Sequence, residues 1–200
     1  MPEVTVAVAD RSGHGHTEQQ AKSVVWGGAE SVDGVDALLV DVEKLGENLR
    51  TTLAGADAIV LGTPTSMAGH SAVFQSFAEA SSVVWAEQGW KDQVAAGFTN
   101  SAGVNGDKLN TLVGLSLFAA QHETTWVGLD LPPGWAYTSA GRRDSLNALG
   151  SFLGAMAQSP SVLAPAKAPV QADLDTAAHL GRRVAEHTPA LSRRRQVVAQ

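Results

Sequence analysis

Three loop-like stretches carry most of the residues in this chain that could do chemistry. They read Asp10-Arg11-Ser12-Gly13-His14-Gly15-His16-Thr17, then Thr63-Pro64-Thr65-Ser66-Met67-Ala68-Gly69-His70, then Thr99-Asn100-Ser101-Ala102-Gly103-Val104-Asn105-Gly106. All are rich in glycine and hydroxyl side chains, and after Asp10 they hold no carboxylate. The first runs straight into a helical pattern. A helix start offers free N–H groups and a partial positive charge, and small residues let the backbone curl round an anion. Ser12 and Thr17 add hydroxyl donors. The stretch lacks the Gly-Lys-Ser/Thr of a Walker loop. It also lacks the last glycine of a dinucleotide fingerprint, because counting from Gly13 the sixth position is Glu18. What remains is a turn for one phosphate, which suits a mononucleotide.

Two competing chemistries are weaker. His14 and His16 have no nearby acid or third ligand to complete a metal site. Gly69-His70-Ser71-Ala72-Val73 half matches a hydrolase nucleophile elbow, but its last position is Val instead of Gly. With no cysteine in the chain, thiolate zinc sites, iron–sulfur clusters and Cys nucleophiles are excluded.

The elements that must position these loops follow from periodicity. Val4 to Ala9 (VTVAVA) is a run dominated by β-branched residues, as in a strand buried on both faces. Further strands are expected at 37–42, 58–62, 94–98 and 124–129. Helical patterns cover 18–30, 45–53, 71–80, 108–121, 142–157 and 174–187. Alternating β and α units of this kind make a parallel sheet with helices on both faces. In such a sheet ligands sit beyond the carboxyl ends of the strands, where the three loops fall. Stretches 131–140 and 159–172 read as loops, and Trp135 in the first of them fits a lid or interface contact.

Two hundred residues allow one ordinary domain, expected over 1–188, with a basic tail at 189–200 carrying Arg193-Arg194-Arg195. The formal charge of −6 argues against a nucleic-acid partner. No apolar run is long enough for a membrane helix, and Met1-Pro2-Glu3 shows no basic leader, so no membrane association and a cytoplasmic location are expected.

Taken together, Ser12 to Thr17 before a helix, Gly62-Thr63-Pro64-Thr65 after the third strand, and Gly97-Phe98-Thr99-Asn100-Ser101 after the fourth resemble the flavodoxin-like NAD(P)H:quinone oxidoreductases. The likeness is to the branch named after the Trp-repressor-binding protein. Gly150 to Ser159 is similar to the same segment of NADPH-dependent FMN reductases. The resemblance spans about residues 4–185. It implies a flavodoxin-like, doubly wound, five-stranded parallel sheet in the order 2-1-3-4-5, and an FMN held by the three loops. Ser12, Gly13, His14, Gly15, His16 and Thr17 would cradle the 5′-phosphate. Pro64, Thr65, Ser66, Met67, Ala68 and Gly69 would pass beside the isoalloxazine ring. Thr99, Asn100, Ser101, Ala102 and Gly103 would flank its pyrimidine edge. Trp85 matches an aromatic residue that shields the substrate cavity, and His122 a histidine near the flavin, often contributed across a subunit boundary.

The implied activity is FMN-dependent transfer of two electrons from NAD(P)H to a quinone or other small aromatic acceptor, by a homodimer or homotetramer. The alternatives are a flavodoxin-type electron carrier and a flavin-binding partner without catalysis. Carriers commonly ring their flavin with acidic residues, whereas Met67 to Ser71 and Thr99 to Asn105 contain none. The second loop departs from better-known members, with Ser66-Met67-Ala68-Gly69-His70 in place of a basic, aromatic and asparagine series. His14 replaces a common tyrosine.

Overall fold

The Val-rich run near the start of the sequence forms β1, Val4–Asp10, in a computed structural model that describes residues 4–134 and 143–198, with side chains as far as Leu191. It lies between β2, Val35–Asp41, and β3, Ala58–Ser66, parallel to both, with Val8 level with Leu39 and Val60. A two-residue strand, β4 (Gly69–His70), folds back antiparallel on the end of β3. Next to β3 runs β5, Val94–Ser101, again parallel. Beyond β5 lies β6, Thr125–Trp126, so the sheet order is β2-β1-β3-β5-β6. With the short β4 set aside, this is the expected doubly wound order.

Side chains alternate across the sheet, as the strand period requires. Val6, Val8, Val60 and Phe98 face α1 (His16–Lys22) and α6 (Gln171–Val198). Ala7, Ala9, Ile59 and Leu61 face α2 (Glu47–Ala54), α3 (Ala72–Ala80), α4 (Ser82–Ala86) and α5 (Lys108–Gln121). Ser71 caps α3 by accepting from Phe74 N at 3.2 Å. Among the described residues no helix is long and apolar enough to cross a membrane.

Four elements differ from the periodicity, among them the strand expected at 124–129, which forms only at Thr125–Trp126. The helix expected over 18–30 starts as α1, then widens to π geometry at Ser23–Gly28 and tightens to a 3-10 turn at Ala29–Ser31. The helix expected at 174–187 is longer, and α6 runs on through Pro189 to Val198.

The helix expected over 142–157 is a correction. Its described part is a set of turns followed by β7, Ala155–Gln158, which pairs in parallel with Phe98–Ser101. Asn147 at φ 50° and Gly150 at φ 70° break the helical path. Asn147 then holds the turns together, donating to the Ser151 carbonyl at 2.8 Å and accepting from Ser151 N at 2.8 Å. The fifth strand is therefore split. Its first piece, β6, pairs low on β5, its second, β7, pairs high, and residues 127–154 are inserted between them. Trp135 lies outside the described residues.

Helix α6 crosses the π segment at unusually close range. A Cβ on Gly28 would stand 2.2 Å from the Ala178 carbonyl oxygen, and one on Gly181 would stand 2.1 Å from that of Val24. Only glycine lets the two backbones meet, and the contact seats the helix that follows the first loop. Gly181→Ala is expected to cost about 3 kcal/mol, or roughly 10 °C in Tm. Gly46→Ala, which meets nothing within 4 Å, should leave Tm nearly unchanged. Calorimetry of the two variants checks both.

Candidate cofactor-binding site

The carboxyl ends of β1, β3, β5 and β7 share one edge of the sheet, and the chain leaving β1 and β3 diverges there. Between them opens a cavity of about 540 Å³, a size suited to a small-molecule cofactor. Its first wall is the turn after β1. Arg11 N bonds the Gly62 carbonyl at 3.0 Å, which starts the turn against β3. Ser12 Oγ accepts from Glu18 N at 3.0 Å, and Gly15 turns the chain at φ 84° into α1. The N–H groups of His16 and Thr17 open that helix and have no intrahelical carbonyl to bond. The Ser12 hydroxyl still has its proton to donate.

The second wall is β3 and its hairpin. Thr99 Oγ1 donates to the Thr63 carbonyl at 2.7 Å. Its only proton is thus used, so Thr65 must donate in the 2.8 Å contact between Thr65 Oγ1 and Thr99 Oγ1. Thr111, 2.7 Å from Thr65 Oγ1, must in turn donate to it. The hydroxyl chain runs in one direction, from α5 through β3 to β5 and back to β3, and leaves Thr65 able only to accept from a ligand. Beyond it, Met67 at φ 49° and Ala68 at φ 67° make a two-residue hairpin tip of the left-handed kind that favours Asn-Gly. Asn110 Nδ2 donates to the Ala68 carbonyl at 2.8 Å and fixes the tip.

The third wall is the end of β5. Asn100 is 3% exposed; its Nδ2 donates to Ser159 Oγ at 2.9 Å and its Oδ1 is buried with no partner. Behind the wall, the fully buried Lys108 donates to Ser101 Oγ and to the Gly103 carbonyl. Burial lowers its pKa to about 8. A fourth wall, Ser159 to Pro165, closes over the first turn. His16 Nε2 lies 2.9 Å from the Leu163 carbonyl, and a Cβ on Gly15 would meet Pro165 Cγ at 2.8 Å.

Trp85 and His122 line a different cavity, of about 510 Å³, between α3–α4 and α5. His122 is buried against Trp90, with ring centroids 4.3 Å apart. Ser81 Oγ spends its proton on the Ala78 carbonyl at 2.7 Å, so His122 Nε2 is the donor in its 2.9 Å bond to Ser81 Oγ. Burial lowers the His122 pKa to about 4, so the ring is neutral at pH 7. Among the described residues no cluster of three or more His, Asp or Glu stands ready to hold a metal.

The family model described as NADPH-dependent FMN reductase matches residues 28–122. A protein named flavodoxin FldP, from Pseudomonas aeruginosa (strain UCBPP-PA14), is 40% identical over 177 residues, covering 87% of this chain and 91% of its own. The chain belongs to the flavodoxin-like FMN reductase family. A solved flavodoxin, WrbA-like protein from Agrobacterium tumefaciens superposes with a TM-score of 0.71 at 37% identity, covering 94% of this chain and 98% of that one. A protein named NAD(P)H dehydrogenase (quinone) from Caulobacter vibrioides (strain NA1000 / CB15N) is 29% identical over 140 residues, 62% of this chain and 70% of its own.

Against the family's pattern, Gly13, His14, His16 and Thr17 line the loop cavity, while Ser12 and Gly15 shape the turn behind them. Pro64, Thr65 and Ser66 line it, and Met67, Ala68 and Gly69 form the hairpin beyond. Asn100, Ser101 and Ala102 line it; Thr99 is buried beneath, and Gly103 is held by Lys108. Within one chain, Trp85 and His122 do not reach it. Sequence reasoning missed Ser71 to Val73, which start α3, and Ser159, Ser161, Leu163 and Pro165. The last group follows β7, and reading 142–157 as a helix hid that strand's carboxyl end.

Asp10, at the end of β1, is 5% exposed, and burial with the charges of Asp41 and Glu18 raises its pKa from 3.8 to about 7. An acid raised in the folded state contributes full stability while protonated in both states. It loses that contribution as pH climbs from about 4 towards 7. Asp10→Asn cannot ionise. Its unfolding free energy relative to the parent should therefore rise by on the order of 3 kcal/mol between pH 4 and pH 8, read by urea titration. A constant difference would mean that Asp10 ionises freely in the folded protein.

Proposed function

We propose that this chain is an FMN-dependent oxidoreductase that passes two electrons from NAD(P)H to a quinone or similar small aromatic acceptor. The observation that carries the reading is the loop cavity itself: a one-phosphate turn facing an orphaned buried acceptor, Asn100 Oδ1, across walls with no Asp or Glu among their described residues. The turn from Ser12 to Thr17 would hold the phosphate. Thr65 and Asn100 offer acceptors to ring N–H groups. When bound, FMN supplies two-electron redox chemistry between a pyridine nucleotide and a quinone. The chain's own part is to orient the ring, keep water from it, and favour a negative charge on it. No side chain in the cavity is assigned as acid or base.

The reading extends to assembly. Leu109, Val113 and Leu117 are exposed at four-residue spacing along α5, and Leu117 lines the same cavity as the half-exposed Trp85. An apolar stripe of this kind favours a homo-oligomer, in which Trp85 and His122 would line a shared cavity near a subunit boundary. Sizing chromatography is expected to give a dimer or tetramer, and a Leu117→Lys variant a smaller species. A monomeric parent would return Trp85 and His122 to structural roles within one chain.

A second reading has its own support in the 40%-identical relative named a flavodoxin: an electron carrier reduced by a separate enzyme. The purified protein separates the readings. FMN should raise Tm more than riboflavin, which lacks the phosphate. The flavin-loaded protein should oxidise NADPH or NADH with a benzoquinone and no added reductase. Reduction only when a separate flavodoxin reductase is supplied would favour the carrier. Equal stabilisation by riboflavin and FMN would remove the phosphate turn from the site.

A further inference from the structure

Lys108 is a buried cation with no ion-pair partner among the described residues. Lysine is almost never wholly buried unless paired, yet Lys108 is 0% exposed and forms no ion pair among the described residues. Its ammonium donates to Ser101 Oγ at 2.7 Å and to the Gly103 carbonyl at 2.5 Å. The Asp173 carboxylate acts on it through space but is already committed. It is held bidentate by Arg143 at 2.7 Å and accepts from Gln158 N at 2.9 Å. An unmatched positive charge therefore stands one hydrogen bond behind Ser101, in the wall of the loop cavity.

Among the described residues nothing nearer cancels it. The other cation on the cavity, Arg11, is paired with Glu43 at 2.8 Å, and no described lining residue is Asp or Glu. Burying a charge costs several kcal/mol even after relaxation, and a neutral amide could satisfy the same two oxygens without that cost. Hydrogen bonding alone thus does not account for a lysine here. Ser101 spends its own proton on the Gly103 carbonyl at 3.2 Å, so the charge reaches the cavity as a field in a poorly screening wall.

We propose that Lys108 is the electrostatic determinant that makes the loop cavity bind an electron-rich, two-electron-reduced ring more tightly than the oxidised one. This rests on the cavity taking FMN.

The test compares the parent with Lys108→Gln and Lys108→Arg. Two quantities are read: the Kd of oxidised FMN by fluorescence quenching, and the midpoint potential of the bound flavin by equilibration with reference dyes. In Lys108→Gln the ratio of reduced to oxidised affinity should fall about tenfold, a potential about 30 mV more negative for a two-electron couple. Lys108→Arg should keep the parent's potential. An unchanged potential in flavin-loaded Lys108→Gln, or an equal shift in Lys108→Arg, would overturn the inference while leaving the cofactor reading intact. A parent that does not bind FMN would overturn the cofactor reading and this inference with it. If Lys108→Gln does not fold, the parent alone decides. Its lysine charge is lost as pH rises through about 8, with Asp173 and Arg143 the charged groups facing it. The plot of potential against pH should steepen downward there, and a straight line would overturn the inference.

Discussion

The one-way hydroxyl chain from Thr111 through Thr65 and Thr99 to the Thr63 carbonyl is the constraint on which the cavity depends. Strand ends at the carboxyl edge of a parallel sheet leave polar groups with no further ladder to join. Unsatisfied and buried, each costs about 1–3 kcal/mol. Here side-chain hydroxyls satisfy them, and in doing so fix the spacing of β3, β5 and α5. Replacing any link by an apolar residue breaks the chain for its neighbours as well, because each hydroxyl has only one proton to give.

The rest of the site is anchored from the opposite face. Gly28 and Gly181 let α6 lie directly on the π segment that continues α1, so the turn before α1 sits on a rigid base. The chain between β7 and α6 then passes over that turn, with Pro165 against Gly15. Residues 10–17 and 159–165, far apart in the sequence, thus become neighbouring walls of one cavity. The split fifth strand makes this possible, since β7 carries the chain up to the level of Ser101 before it turns.

Much of this was legible in the sequence. The Val-rich run at 4–9 and the apolar run at 58–62 have one reading, a strand covered on both sides, and the loops after them carry their own chemistry. The segment 142–157 misled because its apolar spacing fits a helix while its conformation is set by Asn147 and Gly150 at positive φ. The side-chain bonds of Asn147 decide that local path, and no periodicity reports them. Likewise, Trp85 and His122 line one cavity between α3–α4 and α5, which the second stretch reaches only through His70, and neither lines the loop cavity. Lys108 looks like an ordinary first-turn lysine until its burial is known.

The hairpin tip has a consequence of another kind. Asn-Gly would adopt this turn without strain, whereas Met67 and Ala68 hold left-handed backbone at a cost of about 1–2 kcal/mol each. The arrangement leaves the Met67 side chain fully exposed, while Met156, the other described methionine, is half-buried in β7. Of these two, the Met67 thioether is the one open to peroxide in solution. Conversion to the sulfoxide would place a polar, chiral oxygen on the hairpin beside Ser66, and a methionine sulfoxide reductase could reverse it. Of the two described thioethers, the one at this tip is the more open to oxidation.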